Sequence, residues 1–173
     1  MPIARRFQRR AAQQRGSPVG TAENFMSHTY VSQLMHVVFS TKKRLPIIHE
    51  EIRNRLWSFL GGIARRNGFK TIAVGGTDNH IHILLSLPAT MPLSKAVQFL
   101  KGGSSKWLDE NVKPRFEWQQ GYGAFSVSIS QQDQTVVYIN SQPEHHRKRS
   151  FEEEFVAFSR KHKIDYDARF VLS

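Results

Sequence analysis

Residues 78–85 read Asp78-Asn79-His80-Ile81-His82-Ile83-Leu84-Leu85, and this stretch decides the fold. A short apolar run bounded by turn-type residues predicts a buried strand over 79–87. Side chains alternate along a strand, so His80 and His82 share one face while Ile81, Ile83 and Leu85 take the other. Two imidazoles side by side fill a core poorly. They do offer two neutral nitrogens at nearly the same height, which is what a divalent metal needs. Taken alone, the pair reads equally well as two structural histidines on a half-exposed strand.

Working outward, Tyr30 to Ser40 is rich in β-branched and aromatic residues and predicts a first strand. Ile52, Leu56, Phe59, Leu60 and Ile63 recur at helical spacing, giving an amphipathic helix over 49–67 that Gly68 ends. Phe69 to Val74 makes a second strand, with Gly75-Gly76 as the turn into the histidine strand. A second helix runs from Pro92 and Ser94 to about Leu108, and Gly102-Gly103 within it predicts a bend or a close approach to a ligand. Phe116 to Ser128 reads as a fourth strand or hairpin, Gln132 to about Ser141 as a third helix, and Phe151 to His162 as a fourth. The order β-α-β-β-α-β followed by helices predicts an α+β, ferredoxin-like split βαβ fold. Its antiparallel sheet carries helices on one face, with further C-terminal helices after it.

The 173 residues suit one domain with a sizeable core. The absence of cysteine excludes disulfides, zinc–thiolate sites and thiol nucleophiles. No apolar run approaches the ~20 residues that span a bilayer, so the expectation is a soluble, cytoplasmic protein with no membrane partner. The net charge is +11. Arg5, Arg6, Arg9, Arg10 and Arg15 fall in the first 25 residues against the single acid Glu23, and the remainder is still basic. Residues 1–25 lack hydrophobic periodicity and read as a disordered basic arm, with 26–173 as one catalytic domain; a natural start at Met26 is the competing reading of the arm. A polyanionic partner is the physical implication, because counterion release drives binding to phosphate backbones.

The third predicted helix holds the second half of the chemistry. Tyr138 and Gln142 are spaced i, i+4 and share a helix face. A phenol has an ordinary pKa of ~10 and must be positioned and relieved of its proton before it attacks. A divalent metal on His80 and His82 would polarise a phosphodiester. Gln142 offers a neutral oxygen to complete the ligand set, and such donors suit Mg²⁺ or Mn²⁺. Asp78 is a candidate acceptor holding an imidazole in place. Pro143 disfavours helix at the residue before it, so the tyrosine helix is expected to end or kink at Gln142.

Five ordered blocks resemble one family. They are His36-Val37-Val38-Phe39-Ser40-Thr41-Lys42, Gly75-Gly76-x-x-x-His80-x-His82, Leu100-Lys101-Gly102-x-Ser104-Ser105, Trp118-Gln119-x-Gly121-Tyr122 and Tyr138-Ile139-x-x-Gln142-x-x-His145-His146. Across 27–166 the chain is similar to the single-tyrosine HUH transposases, the insertion-sequence-200-like enzymes and their repeat-associated relatives. The resemblance implies a transposase that nicks and rejoins single-stranded DNA near hairpins through a 5′-phosphotyrosine intermediate. It implies Tyr138 as nucleophile and His80, His82 and Gln142 as ligands of Mg²⁺ or Mn²⁺. It also implies a homodimer in which one subunit's tyrosine helix can complete its partner's site, and a nucleoid-associated location.

Other residues are candidates for contact with DNA. Lys101, Ser104, Ser105 and Lys106 beside the double glycine are placed to meet phosphates, as is the cationic run His145, His146, Arg147, Lys148 and Arg149. Solvated helix and turn surfaces are their plainer roles. Trp118, Tyr122 and Phe125 suit either base stacking or core packing. Two further functions compete with the transposase: a domesticated hairpin-binding protein with little transposition, and an RNA-binding module using an aromatic sheet face. The RNA-binding reading leaves His80, His82 and Tyr138 unexplained.

Overall fold

A computed structural model describes residues 30–146 and 150–165. The expected arm at 1–25, together with Arg147, Lys148 and Arg149, lies outside the described residues. Four strands, β1 (Leu34–Ser40), β2 (Lys70–Gly76), β3 (His80–Ser86) and β4 (Gly123–Val127), form one sheet in the order β2-β3-β1-β4. Every neighbouring pair is antiparallel. Helix α1 (Glu50–Arg66) connects β1 to β2, and α2 (Leu93–Asn111) connects β3 to β4. This is the split βαβ arrangement expected from the order of elements. Three more helices follow: α3 (Gln132–Asn140), the four-residue α4 (Gln142–His145) and α5 (Phe151–Lys161). Among the described residues no helix is long and apolar enough to cross a membrane.

Alternation divides the sheet into two faces with different tasks. Val37, Phe39, Ile81, Ile83 and Leu85 point to one face and pack on Leu56, Leu60, Ile63, Val97 and Leu100 of α1 and α2. This is the main core, and each fully buried aliphatic chain there contributes about 1.5–3 kcal/mol. The opposite face carries His36, Val38, His80, His82, Leu84 and Phe125, and α3, α4 and α5 cover it. Two smaller apolar clusters hold this second layer: Ile139 against Ala73 and Leu84, and Phe151 against Val38 and Phe125. The histidine pair is therefore enclosed between the sheet and the C-terminal helices.

Several local expectations are corrected by packing. The first strand starts at Leu34, and Tyr30 is exposed. Gly75 and Gly76 belong to β2, with Thr77–Asn79 forming the turn. Helix α2 continues through Gly102-Gly103 to Asn111. The close approach at Gly103 is to α1 rather than to a ligand, since a Cβ there would lie 2.7 Å from Cδ1 of Ile63. Of the expected strand over 116–128 only Gly123–Val127 forms, while Phe116 and Trp118 are buried in the main core. The tyrosine helix ends at Asn140, and Pro143 sits in the first turn of α4, where its missing N–H is not needed.

Candidate metal and nucleophile site

The register sets the two histidines side by side. His80 lies opposite Ser40 of β1, and His82 lies opposite Val38 and beside Gly75 of β2. Both are buried. Nδ1 of His80 is 2.7 Å from Asn79 Oδ1 and 2.9 Å from Thr77 Oγ1, and Thr77 donates in turn to Asn79. With those oxygens accepting, the ring keeps its proton on Nδ1 and its lone pair on Nε2. His82 is held from the other side: its Nδ1 is 2.9 Å from Nε2 of His36, two residues along β1 on the same face. Nε2 of His80 and Nε2 of His82 are both buried without a hydrogen-bond partner among the described residues. Burial, followed by the neighbouring imidazoles, pushes their pKa values down, to about 3 for His82, so both rings are neutral near pH 7.

The C-terminal helices bring the remaining groups. α3 lies across β2 and β3, with its backbone so close to Gly75 that any Cβ there would overlap the Ile139 carbonyl oxygen. This contact places Tyr138 over the histidine face, its ring edge-on to His36 and His82 at 6.1 and 5.9 Å between centroids. The Tyr138 hydroxyl is buried and has no hydrogen-bond partner among the described residues. Gln142, the first residue of α4, is fully buried; its Nε2 donates to Glu154 Oε1 at 3.2 Å, and its Oε1 accepts no hydrogen bond among the described residues. α5 begins with a capping box between Ser150 and Glu153. Phe151, Glu154 and Phe158 share the inward helix face, so the apolar rings carry Glu154 to the sheet.

Glu154 completes a cluster that composition alone does not reveal. Its Oε2 is 3.0 Å from His146 Nε2 and 3.4 Å from His82 Nε2, and its Oε1 is 3.8 Å from His145 Nε2. The ligand atoms of His80, His82, His146 and Glu154 all lie within 4.8 Å of one another. Burial pushes the Glu154 carboxyl up to about 8. The Glu154 carboxyl is desolvated among imidazole nitrogens, and Nε2 of His80 and of His82 makes no hydrogen bond among the described residues. One divalent cation would satisfy both, so these residues fit a metal site.

The predicted site residues separate into those brought together and those placed elsewhere. His80, His82, Tyr138 and Gln142 converge. His146 belongs to this cluster, and His145 stands at its edge, 3.8 Å from Glu154 and partly exposed. Asp78 does not hold an imidazole: Asn79 and Thr77 do so, and the Asp78 carbonyl accepts from Ile48 N–H. Ser104 is buried, donating to the Leu100 carbonyl and accepting from Trp118 Nε1, so it is structural and out of reach of a phosphate. Lys101 donates to the carbonyls of Gln119 and Gly121 at 2.7 Å each, and Ser105 to that of Phe116. Both tie α2 to the segment leading into β4. Lys106 is exposed, 3.9 Å from Glu110. Trp118 and Phe125 are core residues, whereas Tyr122 is exposed. Sequence reasoning missed Glu154 and His36, although each shares a periodic face with residues it did identify.

Known proteins converge on the same family. Residues 29–142 match the family described as "Transposase IS200 like". The chain is 30% identical over 121 residues to the ISDra2 transposase TnpA of Deinococcus radiodurans, covering 65% of this chain and 86% of that one. It is 29% identical over 107 residues to the transposase for insertion sequence element IS200 of Salmonella typhimurium, covering 58% and 70%. Two solved structures share the fold at a TM-score of 0.53. One, from Deinococcus radiodurans R1 and assigned as a transposase, is 24% identical and covers 64% of this chain and 91% of its own. The other, a REP-associated tyrosine transposase bound to a REP hairpin, is 16% identical and covers 68% and 71%. The family match spans both histidines, Tyr138 and Gln142, and the chain belongs to the IS200-like transposase family.

Proposed function

We propose that this transposase nicks and rejoins single-stranded DNA beside a hairpin, with Tyr138 as the nucleophile. The observation that carries the reading is the buried Tyr138 hydroxyl, set over two imidazoles, with neither that hydroxyl nor the two Nε2 atoms hydrogen-bonded among the described residues. A nucleophile needs an oxygen free of structural duties and close to the phosphate-holding group. Tyr138 meets both requirements.

His80, His82, His146 and Glu154 would hold a divalent ion, with Gln142 Oε1 as a further oxygen donor. Bound there, the ion supplies Lewis-acid polarisation of a phosphodiester. A set of three imidazoles and one carboxylate is softer than the all-oxygen shell Mg²⁺ prefers, which favours Mn²⁺ of the two expected ions. The chain's own residues do the rest. Asn79, Thr77 and His36 hold the imidazoles in the ligating tautomer. Gly75 lets α3 lie close enough to aim Tyr138. The Tyr138 oxygen bonds to phosphorus as the bond to the 3′ oxygen breaks, and the phenol's proton ends on the departing 3′ hydroxyl. Rejoining reverses these steps, so the cycle needs no ATP. The hairpin and the homodimer come from the family resemblance and join the proposal on that basis.

The test incubates the protein with single strands carrying a hairpin and a randomised tail, with Mn²⁺ or Mg²⁺. A covalent adduct is expected, with mass spectrometry locating the nucleotide on the Tyr138 peptide. Cleavage without an adduct, or attachment at Tyr122, would overturn the proposal. Sedimentation of the protein alone tests the dimer.

A further inference from the structure

A cavity of about 270 Å³ opens between α3 and α5, over β4. Its inner end is formed by Tyr138 and Glu154, which also belong to the cluster described above, and Phe125 and Phe158 form its wall. The outer lining includes the exposed amides Gln131 and Gln134, with Lys161 also at the cavity. We infer that this cavity is a nucleobase pocket. It takes the unpaired base of a nucleotide flanking the bond that Tyr138 attacks, and it sets base preference at that position. The inference rests on Tyr138 meeting DNA, as proposed above.

Three observations support this assignment. The first is continuity: one cavity joins Tyr138 and Glu154 to the solvent-facing amides, so a strand whose phosphate sits at the inner end has its base one sugar away, inside the cavity. The second is the wall. Phe158, partly buried, stacks on the buried Phe125 at 5.0 Å and 26°, which fixes its ring at the cavity as an aromatic platform of the kind on which unpaired bases stack. The third is the polar complement. A side-chain amide offers both a donor and an acceptor, matching the mixed edge of a base, whereas a lysine matches a phosphate. Gln131, Gln134 and Lys161 therefore suit one nucleotide with its flanking phosphate. The α5 side contributes Ala157, an exposed residue that lines the cavity. Its small side chain leaves the space open.

The test uses hairpin strands in which 2-aminopurine replaces each nucleotide of the single-stranded tail in turn, read by fluorescence on binding, with adduct formation scored separately. One position is expected to lose emission at least threefold, and that loss should disappear in Ala157→Phe, which fills the cavity from an exposed site. Gln134→Ala, also exposed, should reduce base preference at the same position among adduct-forming strands by about tenfold. Matching circular dichroism of the variants with the parent protein checks their folding. Quenching at no position, or quenching unchanged in Ala157→Phe, overturns the pocket. Site-specific quenching without any adduct leaves the pocket standing and overturns the phosphotyrosine reading.

Discussion

His36 Nε2 lies 2.9 Å from His82 Nδ1, and this contact decides which nitrogen His82 can offer the site. When His36 accepts, His82 carries its proton on Nδ1 and its Nε2 lone pair faces Glu154. Residues behind a ligating imidazole typically tune metal affinity 10–100-fold. His36→Ala is therefore expected to weaken Mn²⁺ binding by that order, measured by electron paramagnetic resonance titration. His36→Gln, which retains an acceptor oxygen, should recover part of the loss. Equal affinity in all three proteins would mean that β1 plays no part in orienting the site.

The metal-free protein should have an unusual pH profile. His36, His80 and His82 have pKa values held below the ordinary 6.5, so below that value the unfolded chain binds more protons and stability rises with pH. Glu154 runs the other way. Its carboxyl is raised from 4.5 to about 8 in the fold, so its contribution is full below 4.5 and is lost as pH climbs to 8. Above 6.5 this loss stands without the opposing histidine effect, at up to ~1.4 kcal/mol per pH unit. Denaturant unfolding should show a maximum near pH 6.5 and a decline toward 8. Glu154→Gln should abolish the decline, and Mn²⁺ should reverse it. A flat profile from 6.5 to 8 would show that the carboxyl ionises freely in the fold.

Gly75 tests whether the tyrosine helix is placed by backbone contact. A Cβ at this position would overlap the Ile139 carbonyl, so α3 must shift outward in Gly75→Ala. Overpacking of this kind costs about 1–3 kcal/mol. Adduct formation should fall by at least tenfold while Mn²⁺ affinity falls less, because His80 and His82 on β3 and Glu154 on α5 lie outside α3. Loss of metal binding together with the adduct would mean that the two halves of the site are not separable.

The legible parts of this protein are those that local periodicity encodes. Alternation in 79–87 puts His80 and His82 on one face, and the 3.6-residue period places α1, α3 and α5 within one or two residues of their observed ends. What comes against a surface is not encoded locally. Gly75 reads as a turn and Gly103 as a bend because nothing nearby announces the Ile139 carbonyl or Ile63. Glu154 is hidden within Glu152-Glu153-Glu154, a run that favours a helix N-terminus on dipole grounds. Only its spacing from Phe151 and Phe158 distinguishes the buried member. His145 and His146 read with Arg147, Lys148 and Arg149 as one cationic stretch, and only the packing of α5 shows that Glu154 lies beside the two histidines. The family match ends at Gln142, so this second half of the cluster is read from the structure alone.

Tyr138 allows stability and activity to be separated. Its hydroxyl is buried with no hydrogen-bond partner among the described residues, and an unsatisfied buried hydroxyl costs about 1–3 kcal/mol. Its ring is a different matter, packed edge-on against His36, His82, His145 and Phe158. Tyr138→Phe keeps that packing and removes only the orphaned oxygen. The variant should therefore be as stable as the parent or more stable by up to ~1 kcal/mol, and it should bind Mn²⁺ and hairpin strands unchanged. It should form no covalent adduct. Equilibrium denaturation and adduct gels on the same preparations check both halves. A structural tyrosine predicts the reverse: loss of stability with cleavage retained. Loss of both would show that the hydroxyl has a partner in the folded protein and would remove the argument that this oxygen is held in reserve for phosphorus.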